Sequence, residues 1–197
     1  MARVRSIVLA GMPASGKTTV ARLVASRLGL KYAAGGDILR EMARERGYRP
    51  EGDDWWDSDE GRRFLMERKS DPRFDLEVDR RLRELVLSGG YAVTSYAMPW
   101  LLGPEVLKVW LGASPEVRAA RMSKRDGVPL EEARRVIAFR DAENTELYRR
   151  LYGYELAPDA RVFHLIINTD TIPPESVAEL IAIYAAAFWA PSRGETF

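Results

Sequence analysis

The glycine-rich segment from Gly11 to Thr18, GMPASGKT, constrains the fold more than any other feature of the sequence. It fits the pattern G-x-x-x-x-G-K-[ST], follows an apolar strand-like segment at 5–10 and runs into a predicted helix at 17–28. Small residues let several backbone N–H groups converge on phosphate oxygens, and the following helix directs its positive end at them. Lys17 is placed to reach the β and γ phosphates, and the Thr18 hydroxyl to hold Mg²⁺. A chance glycine-rich turn would lack the flanking strand and helix, so the segment predicts a site for nucleotide phosphates. It does not identify the reaction.

The rest of the chain alternates strand and helix signals. Further strands are predicted at 30–34, 91–96, 107–113 and 162–170, and further helices at 37–46, 73–87, 114–125, 129–153 and 173–188. The segment between residues 47 and 73 is predicted to be irregular and acidic. Strands that alternate with helices favour a parallel sheet covered by helices on both faces, so we predict a single α/β domain.

The composition excludes several classes of site. The formal net charge of +1 gives no reason to expect nucleic acid, and a charged fraction of 30% with no glutamine favours a heat-adapted source. No cysteine is present, which excludes disulfides, thiolate nucleophiles and cysteine metal sites. The single histidine, His164, lies in the apolar run VFHLII and is predicted to be a packed strand residue. No segment resembles a signal peptide or a membrane span, so we expect a cytoplasmic protein without a membrane partner, as a monomer or weak dimer.

Two predicted helices in the second half of the chain carry arginines that could contact a transferring phosphoryl group. Arg118, Arg121 and Arg125 share one helix face, although such a row is usually only a solvated surface. Arg140 and Asn144 fall within the apolar stripe of the next helix, so Arg140 should face an anion, either a structural carboxylate or a substrate phosphate. The turn KRDGVP between the helices suits a hinge, and phosphoryl transfer requires both positive charge and closure.

A second group of polar residues follows the second predicted strand. Asp37 can cap the helix that follows, and Arg40 and Arg44 share one of its faces, either as exposed charges or as ligands of an acceptor phosphate. Further on, Trp55 and Trp56 lie among six carboxylates in EGDDWWDSDEGRR. Packing on the core is the preferred interpretation of the two tryptophans, and stacking on a flat substrate ring is the alternative.

The chain resembles the P-loop nucleoside monophosphate kinases, and most closely the archaeal type of cytidylate kinase. The resemblance spans nearly the whole chain, in the order VRSIVLAGMPASGKTTVARLVASRLGL, YAAGGDILREMARERG, FDLEVDRRL, LKVWLGASPEVRAARMSKRDGV, LYRRLYGYEL and LIINTD. It implies a three-layer P-loop kinase fold with a five-stranded parallel sheet in one domain at 1–197, an acceptor-binding insertion at 35–85 and a short lid at 121–142. The implied reaction moves the γ-phosphate of ATP onto a nucleoside monophosphate with Mg²⁺, with CMP or dCMP as the first acceptor to test.

The resemblance also implies roles for individual residues. The implied ATP-binding residues are Gly11, Met12, Pro13, Ala14, Ser15, Gly16, Lys17, Thr18, Thr19, Asn168, Thr169 and Asp170, of which Thr18 holds the metal and the last three lie near the adenine. The implied catalytic charges are Lys17, Arg121, Arg125 and Arg140. The implied acceptor contacts are Asp37, Arg40, Arg44, Tyr96 and Trp100. Because the nucleophile is an oxygen of the acceptor phosphate, no strong general base is needed.

The chain departs from the family pattern most at the end of the third strand. Family members usually read E-G-R-L-A-x-W there, and this chain reads TSYAMPW from Thr94 to Trp100. A carboxylate expected near Mg²⁺ and an arginine expected on the acceptor phosphate are therefore replaced by Thr94 and Tyr96. A lost charge-assisted contact of this kind costs on the order of 1.5 to 3 kcal/mol.

Two alternatives to a nucleoside monophosphate kinase follow from this departure. One is a P-loop kinase of a small metabolite whose hydroxyl is the acceptor, with Asp37 as proton acceptor. The other is a nucleotide-binding switch or partner-binding protein without small-molecule kinase activity, in which the tryptophan-acidic segment forms an interface.

Overall fold

The computed structural model describes residues 3–51, 55, 59–71 and 73–191. Strands and helices alternate along most of the chain. The strands are β1 (Val4–Ala10), β2 (Lys31–Ala34), β3 (Tyr91–Thr94), β4 (Val106–Gly112) and β5 (Leu165–Asn168). The helices are α1 (Lys17–Leu28), α2 (Gly35–Glu45), α3 (Asp59–Ser70), α4 (Arg73–Ser88), α5 (Met98–Leu101), α6 (Pro115–Asp126), α7 (Leu130–Tyr152) and α8 (Pro174–Trp189).

The five strands form one sheet in the order β2-β3-β1-β4-β5, and every pair of neighbours is parallel. β1 lies in the centre, where Val8 is paired with Val93 of β3 and Lys108 of β4. All carboxyl ends of the strands therefore meet at one edge of the sheet, where α/β proteins bind their ligands. The predicted five-stranded parallel sheet is confirmed.

Alternate residues of β1 enter two different cores. Ile7 and Leu9 pack with helices α1 and α8 on one face of the sheet, and Val8 and Ala10 pack with α2, α4 and α5 on the other. All four side chains are fully buried. A central strand that is buried on both faces reads as a continuous apolar run, which explains the sequence SIVLA. The three-layer arrangement follows from this double burial.

Helices α6 and α7 form an antiparallel hairpin with a small apolar contact of its own. Ala119 and Met122 of α6 pack against Ala133 and Ile137 of α7, with Ala14 of the glycine-rich loop beside them. The Ser114 hydroxyl accepts a hydrogen bond from the Val117 N–H and so caps α6. The hairpin is thus joined to the rest of the molecule next to the loop, as a lid would be.

The segment between α2 and α4 differs from the prediction. It was expected to be irregular, but Asp59–Ser70 forms α3, whose Phe64 is fully buried. Trp55 is 4% exposed, packs against Phe64 and donates from Nε1 to Glu60 Oε2 at 2.8 Å. The packing interpretation of Trp55 is therefore confirmed, whereas Trp56 lies outside the described residues.

Smaller differences concern element ends. Strand β3 ends at Thr94 rather than at residue 96, because the Ser95 hydroxyl accepts hydrogen bonds from the N–H groups of Ala97 and Met98, both at 3.2 Å, and starts α5. His164 precedes β5 instead of lying in it. Its ring packs edge-on against Phe188, so its predicted role as a packing residue is supported. None of the helices in the described ranges is long and apolar enough to cross a membrane.

Candidate functional site

The glycine-rich loop joins β1 to α1 at the carboxyl edge of the sheet. A Cβ atom at Gly11 would collide with the carbonyl oxygen of Leu111 in β4, so only glycine lets the loop lie this close to the sheet. Gly16 caps α1 with a φ of 93°, and Ala14 has a φ of 60°, so both have left-handed backbone conformations. The loop is thereby wound around the N-terminus of α1, whose free N–H groups favour anions.

One buried hydroxyl in the loop supports a bound phosphate. Ser15 is 1% exposed, and its Oγ has no hydrogen-bond partner among the described residues. A buried polar atom without a partner is costly, and a phosphate oxygen would supply the missing acceptor. Together with the helix N-terminus, this hydroxyl makes the loop a suitable site for the phosphates of a nucleotide.

A cleft of about 430 Å³ opens in front of the loop. Its walls come from the loop and α1, from the hairpin of α6 and α7, and from the segment around β5 and α8. The lining residues are Ala14, Ser15, Gly16, Lys17, Thr18, Thr19, Val20, Arg121, Arg125, Thr169, Ile172, Pro174 and Val177. Polar groups converge at the loop end and apolar groups lie at the α8 end, an arrangement suited to a phosphate chain that carries a flat ring.

Lys17 bends back over the loop from which it starts. Its Nζ donates hydrogen bonds to the carbonyl oxygens of Gly11 at 2.7 Å and Met12 at 2.8 Å. Burial of the ammonium, together with the nearby guanidiniums of Arg140 and Arg118, lowers the pKa of Lys17 to about 7. Burial is the largest of these causes, and the Asp141 carboxylate, which pairs with Arg118, opposes them. The positive charge near Lys17 favours an anionic ligand.

Arg121 and Arg125 line the cleft, as the resemblance implied. One terminal nitrogen of Arg121 donates to the Thr169 hydroxyl at 3.1 Å, and the other donates to the Thr169 carbonyl oxygen. Arg125 is exposed and pairs with its neighbour Asp126 at 2.6 Å. Arg121 is therefore already fixed between the hairpin and the sheet edge, and Arg125 lies at the opening.

Arg118 is not a solvated surface residue, contrary to the usual interpretation of arginines that share one helix face. It is 4% exposed and forms a two-pronged ion pair with Asp141 of α7, at 2.9 and 2.7 Å. The same guanidinium donates to the carbonyl oxygen of Pro13 at 3.3 Å. This one side chain thus ties both helices of the hairpin to the glycine-rich loop, a structural role that the helical spacing alone did not reveal.

The expectation that Arg140 is buried in an apolar stripe is wrong. Arg140 is exposed: the buried residues of α7 are Ala133, Ile137 and Tyr148, and residues 138–140 all lie in solvent. Its guanidinium makes no ion pair with a carboxylate in the described part of the chain, although it acts on Lys17 electrostatically. Because the side chain is exposed, neither a carboxylate nor a phosphate is required beside it, and its role toward a substrate phosphate remains a prediction.

The three residues at the end of β5, from Asn168 to Asp170, make different contacts. Thr169 is 3% exposed and lines the cleft. Asp170 Oδ1 accepts a hydrogen bond from the N–H of Ser114 at 2.8 Å, and Asn168 Oδ1 accepts one from the N–H of Asp170 at 2.8 Å. Asn168 and Asp170 therefore shape the turn, and Thr169 is the member of the three that reaches the cleft.

The predicted acceptor residues on α2 lie outside this cleft. Asp37 Oδ2 accepts a hydrogen bond from the N–H of Ala34 at 3.0 Å and so supports the start of α2. Arg40 is partly buried and donates to the carbonyl oxygen of Pro50 at 3.0 Å, whereas Arg44 is exposed. Their predicted role toward an acceptor remains a prediction.

The neutral end of β3 belongs to an aromatic cluster. Tyr96 lies under Lys17, with Nζ 4.9 Å from the ring centroid, and Trp100 stacks on Tyr154 with centroids 4.2 Å apart. Thr94 is 9% exposed, and its hydroxyl lies 3.3 Å from that of Tyr32. Tyr96 is thereby placed beside the glycine-rich loop, and Trp100 belongs to the aromatic cluster that packs behind Tyr96.

The sequence did not indicate two parts of the site. The apolar wall of Ile172, Pro174 and Val177 lies at the start of α8, where a proline-opened helix beside a strand end was the available signal. The Arg118–Asp141 pair joins positions 23 residues apart on two helices, and no local pattern predicts such a partner.

Known proteins are similar to this chain over most of its length. The model of the cytidylate kinase-like family matches residues 6–171. Cytidylate kinase of Pyrococcus horikoshii is 35% identical over 175 residues, covering 89% of this chain and 85% of that protein. Cytidylate kinase of Methanopyrus kandleri is 38% identical over 173 residues, covering 83% of each. Among solved structures, shikimate kinase from Bacteroides thetaiotaomicron has a similar fold, with a TM-score of 0.60 and 16% identity over 92% of this chain and 98% of that one.

Proposed function

The chain belongs to the cytidylate kinase-like family of nucleoside monophosphate kinases, and we propose that it transfers the γ-phosphoryl group of ATP to CMP, with dCMP as a related acceptor. The observation that carries the ATP part is the cleft in which the glycine-rich loop, Lys17 and two arginines of the hairpin meet. The choice of CMP rests on the relatives, whose names identify them as cytidylate kinases.

In this proposal the loop and α1 bind the triphosphate. The N–H groups at the start of α1 and the Ser15 hydroxyl donate hydrogen bonds to the phosphate oxygens, and Lys17 pairs with the terminal phosphates. A bound polyphosphate offsets the burial and repulsion that now lower the pKa of Lys17, and so keeps its ammonium charged. The Thr18 hydroxyl would hold Mg²⁺, which when bound neutralises part of the phosphate charge.

The hairpin supplies the positive charge around the transferring group. Arg121 and Arg125 face the cleft from α6, and Arg140 lies on α7 without a carboxylate partner among the described residues. Closure of the lid region, 121–142, would bring these charges onto the γ-phosphate and exclude water from it. Arg118 and Asp141 hold the two helices together, and Arg118 also joins them to the glycine-rich loop through Pro13.

The insertion at 35–85 is proposed to hold the acceptor. Arg40 and Arg44 are its candidate contacts with the acceptor phosphate, Asp37 supports their helix, and Tyr96 and Trp100 form the aromatic floor next to it. An oxygen of the acceptor phosphate attacks in line, so the protein needs to position both substrates and stabilise charge. The adenine is proposed to lie near Thr169, against the apolar wall of the cleft.

A phosphotransfer assay with purified protein, ATP and Mg²⁺ tests the proposal. CMP, dCMP, UMP and AMP are offered separately, and formation of the diphosphate is followed by chromatography. CMP or dCMP should be the preferred acceptor. If none of the four is phosphorylated, the proposed function is wrong, and a thermal-shift screen of hydroxyl-bearing metabolites then tests the metabolite-kinase alternative.

A further inference from the structure

The hydroxyl group of Thr169 lies where β4, β5 and the glycine-rich loop meet. Thr169 follows β5 directly, is buried and lines the cleft. Its N–H donates to the carbonyl oxygen of Gly112, the last residue of β4, at 2.8 Å. Its Oγ1 lies 3.1 Å from the same carbonyl oxygen and 3.3 Å from the carbonyl oxygen of Ser15 in the loop. The hydroxyl is therefore fixed by groups of both the sheet and the loop.

This hydroxyl is also an acceptor for Arg121. A hydroxyl group carries one hydrogen and two lone pairs, so it can donate to one of the two carbonyl oxygens and still accept a hydrogen bond. Nη1 of Arg121 donates to it at 3.1 Å, and Nη2 donates to the carbonyl oxygen of the same threonine. Nη1 also lies 3.5 Å from the carbonyl oxygen of Ser15. One residue thus holds both terminal nitrogens of the guanidinium.

These contacts leave part of the guanidinium available to a ligand. A guanidinium has five N–H donors, and the contacts use at most three of them, on Nη1 and Nη2. Among the described residues, none accepts a hydrogen bond from Nε of Arg121, so the Nε–H and one Nη2–H remain. A charge that is fixed before the substrate binds stabilises a transition state without further reorganisation of the protein. Arg121 is therefore both held in place and able to bind an anion in the cleft.

We propose that Thr169 is a positioning residue whose hydroxyl and carbonyl groups hold the guanidinium of Arg121 beside the glycine-rich loop, in place for ATP before the nucleotide binds. This inference rests on the proposed function, in which Arg121 acts on the transferring phosphoryl group. Thr169 contributes through Arg121, without contacting the reacting atoms itself.

The test compares two substitutions at Thr169. Thr169→Val removes the hydroxyl but keeps the branched shape and the backbone groups, and Thr169→Ser keeps the hydroxyl. The rate of phosphoryl transfer from ATP to CMP with Mg²⁺ is measured over a range of ATP concentrations. Thr169→Val should lower kcat/KM for ATP by roughly tenfold to a hundredfold, the ratio that corresponds to a hydrogen bond to a charged group. Thr169→Ser should lie much closer to the wild type.

The same substitutions are then measured in an Arg121→Ala background, at higher protein concentration. With no guanidinium to hold, Thr169→Val should cause no further loss there. A merely structural role, in which the hydroxyl only joins the loop to β4, would instead lower the rate by the same factor in both backgrounds.

Several outcomes would overturn the inference. A wild-type kcat/KM in Thr169→Val does so, as does an equal loss in the Arg121→Ala background or a Thr169→Ser variant as slow as Thr169→Val. Thermal melts check that each variant is folded, and Thr169→Ala, which also lacks the hydroxyl, replaces Thr169→Val if that variant unfolds. A wild type that phosphorylates no nucleoside monophosphate would refute the proposed function itself, whereas an active wild type with equal rates in all folded Thr169 variants would refute only the positioning role.

Discussion

Asp79 should make the stability of this protein fall as the pH rises toward neutrality. The residue lies on α4, is 6% exposed, and its Oδ2 accepts a hydrogen bond from the Tyr152 hydroxyl at 2.5 Å. Burial raises the pKa of Asp79 to about 6, against the hydrogen bond from Tyr152, and the neighbouring Asp75 adds to the rise. A carboxyl group with a raised pKa is protonated more readily in the folded than in the unfolded chain.

The expected change in the free energy of unfolding follows from the size of the pKa shift of Asp79. A rise of about two pH units corresponds to roughly 3 kcal/mol in the free energy of unfolding. Because the folded-state pKa is raised, this stabilisation is fully present below the unfolded pKa of about 4 and is lost as the pH rises through about 6. Above that pH the protein holds an ionised carboxylate in a buried position.

The variant Asp79→Asn isolates this effect. The amide has nearly the same size and offers an oxygen to Tyr152, but it does not ionise. Guanidinium unfolding at a series of pH values gives the free energy of unfolding of both proteins. The variant should equal the wild type near pH 4 and exceed it by up to roughly 3 kcal/mol at pH 8, and the titrations of the other groups cancel in the difference.

Asp75→Asn is the matched control on the same helix. Asp75 pairs with Arg68 at 2.6 Å, so its loss leaves a partly buried cation without its partner and should lower the free energy of unfolding. Parallel curves for Asp79→Asn and the wild type from pH 4 to 8 would refute the reasoning, because they would show that Asp79 titrates alike in both states.

Two further predictions concern the hairpin. Asp141→Asn leaves the buried Arg118 without its ion-pair partner and should lower the free energy of unfolding by about 3 kcal/mol in guanidinium denaturation; an unchanged midpoint would contradict the structural role of the pair. Arg121→Ala should lower the turnover number of phosphoryl transfer by roughly a hundredfold to a thousandfold, since a charge on the transferring group is lost. The control Arg161→Ala removes an exposed surface pair and should keep the wild-type rate, and equal rates for all three proteins would exclude Arg121 from catalysis.

The parts of the fold that the sequence predicts well depend on local chemistry. The spacing of glycines predicts the glycine-rich loop, because Gly11 must lie close to β4 and Gly16 must take a positive φ. β1 is recognisable in the sequence because both of its faces are buried, so its residues form a continuous apolar run instead of alternating with polar ones. The resemblance to the cytidylate kinase-like family is confirmed, since it rests on the order of such segments.

The parts that the sequence predicts poorly depend on contacts between distant segments. The apolar stripe of α7 predicts a buried Arg140, but in the first half of this helix only Ala133 and Ile137 are buried, against α6 and Ala14. Helix α3 was missed because its sequence is highly charged, and Phe64 holds it against Tyr48 and Trp55. From the sequence, Tyr96 is predicted as an acceptor contact in the place of a family arginine, and only the structure reveals its contact with Lys17.

The proposed transfer of a phosphoryl group from ATP to CMP is tested most directly by ³¹P NMR of one mixture. The sample contains the protein, ATP, Mg²⁺ and CMP, and a second sample contains the Lys17→Ala variant in its place. The account predicts that resonances of CDP and ADP grow together in the first sample and far more slowly in the second. A first sample in which ATP and CMP persist, or in which ADP and inorganic phosphate form without CDP, would contradict it.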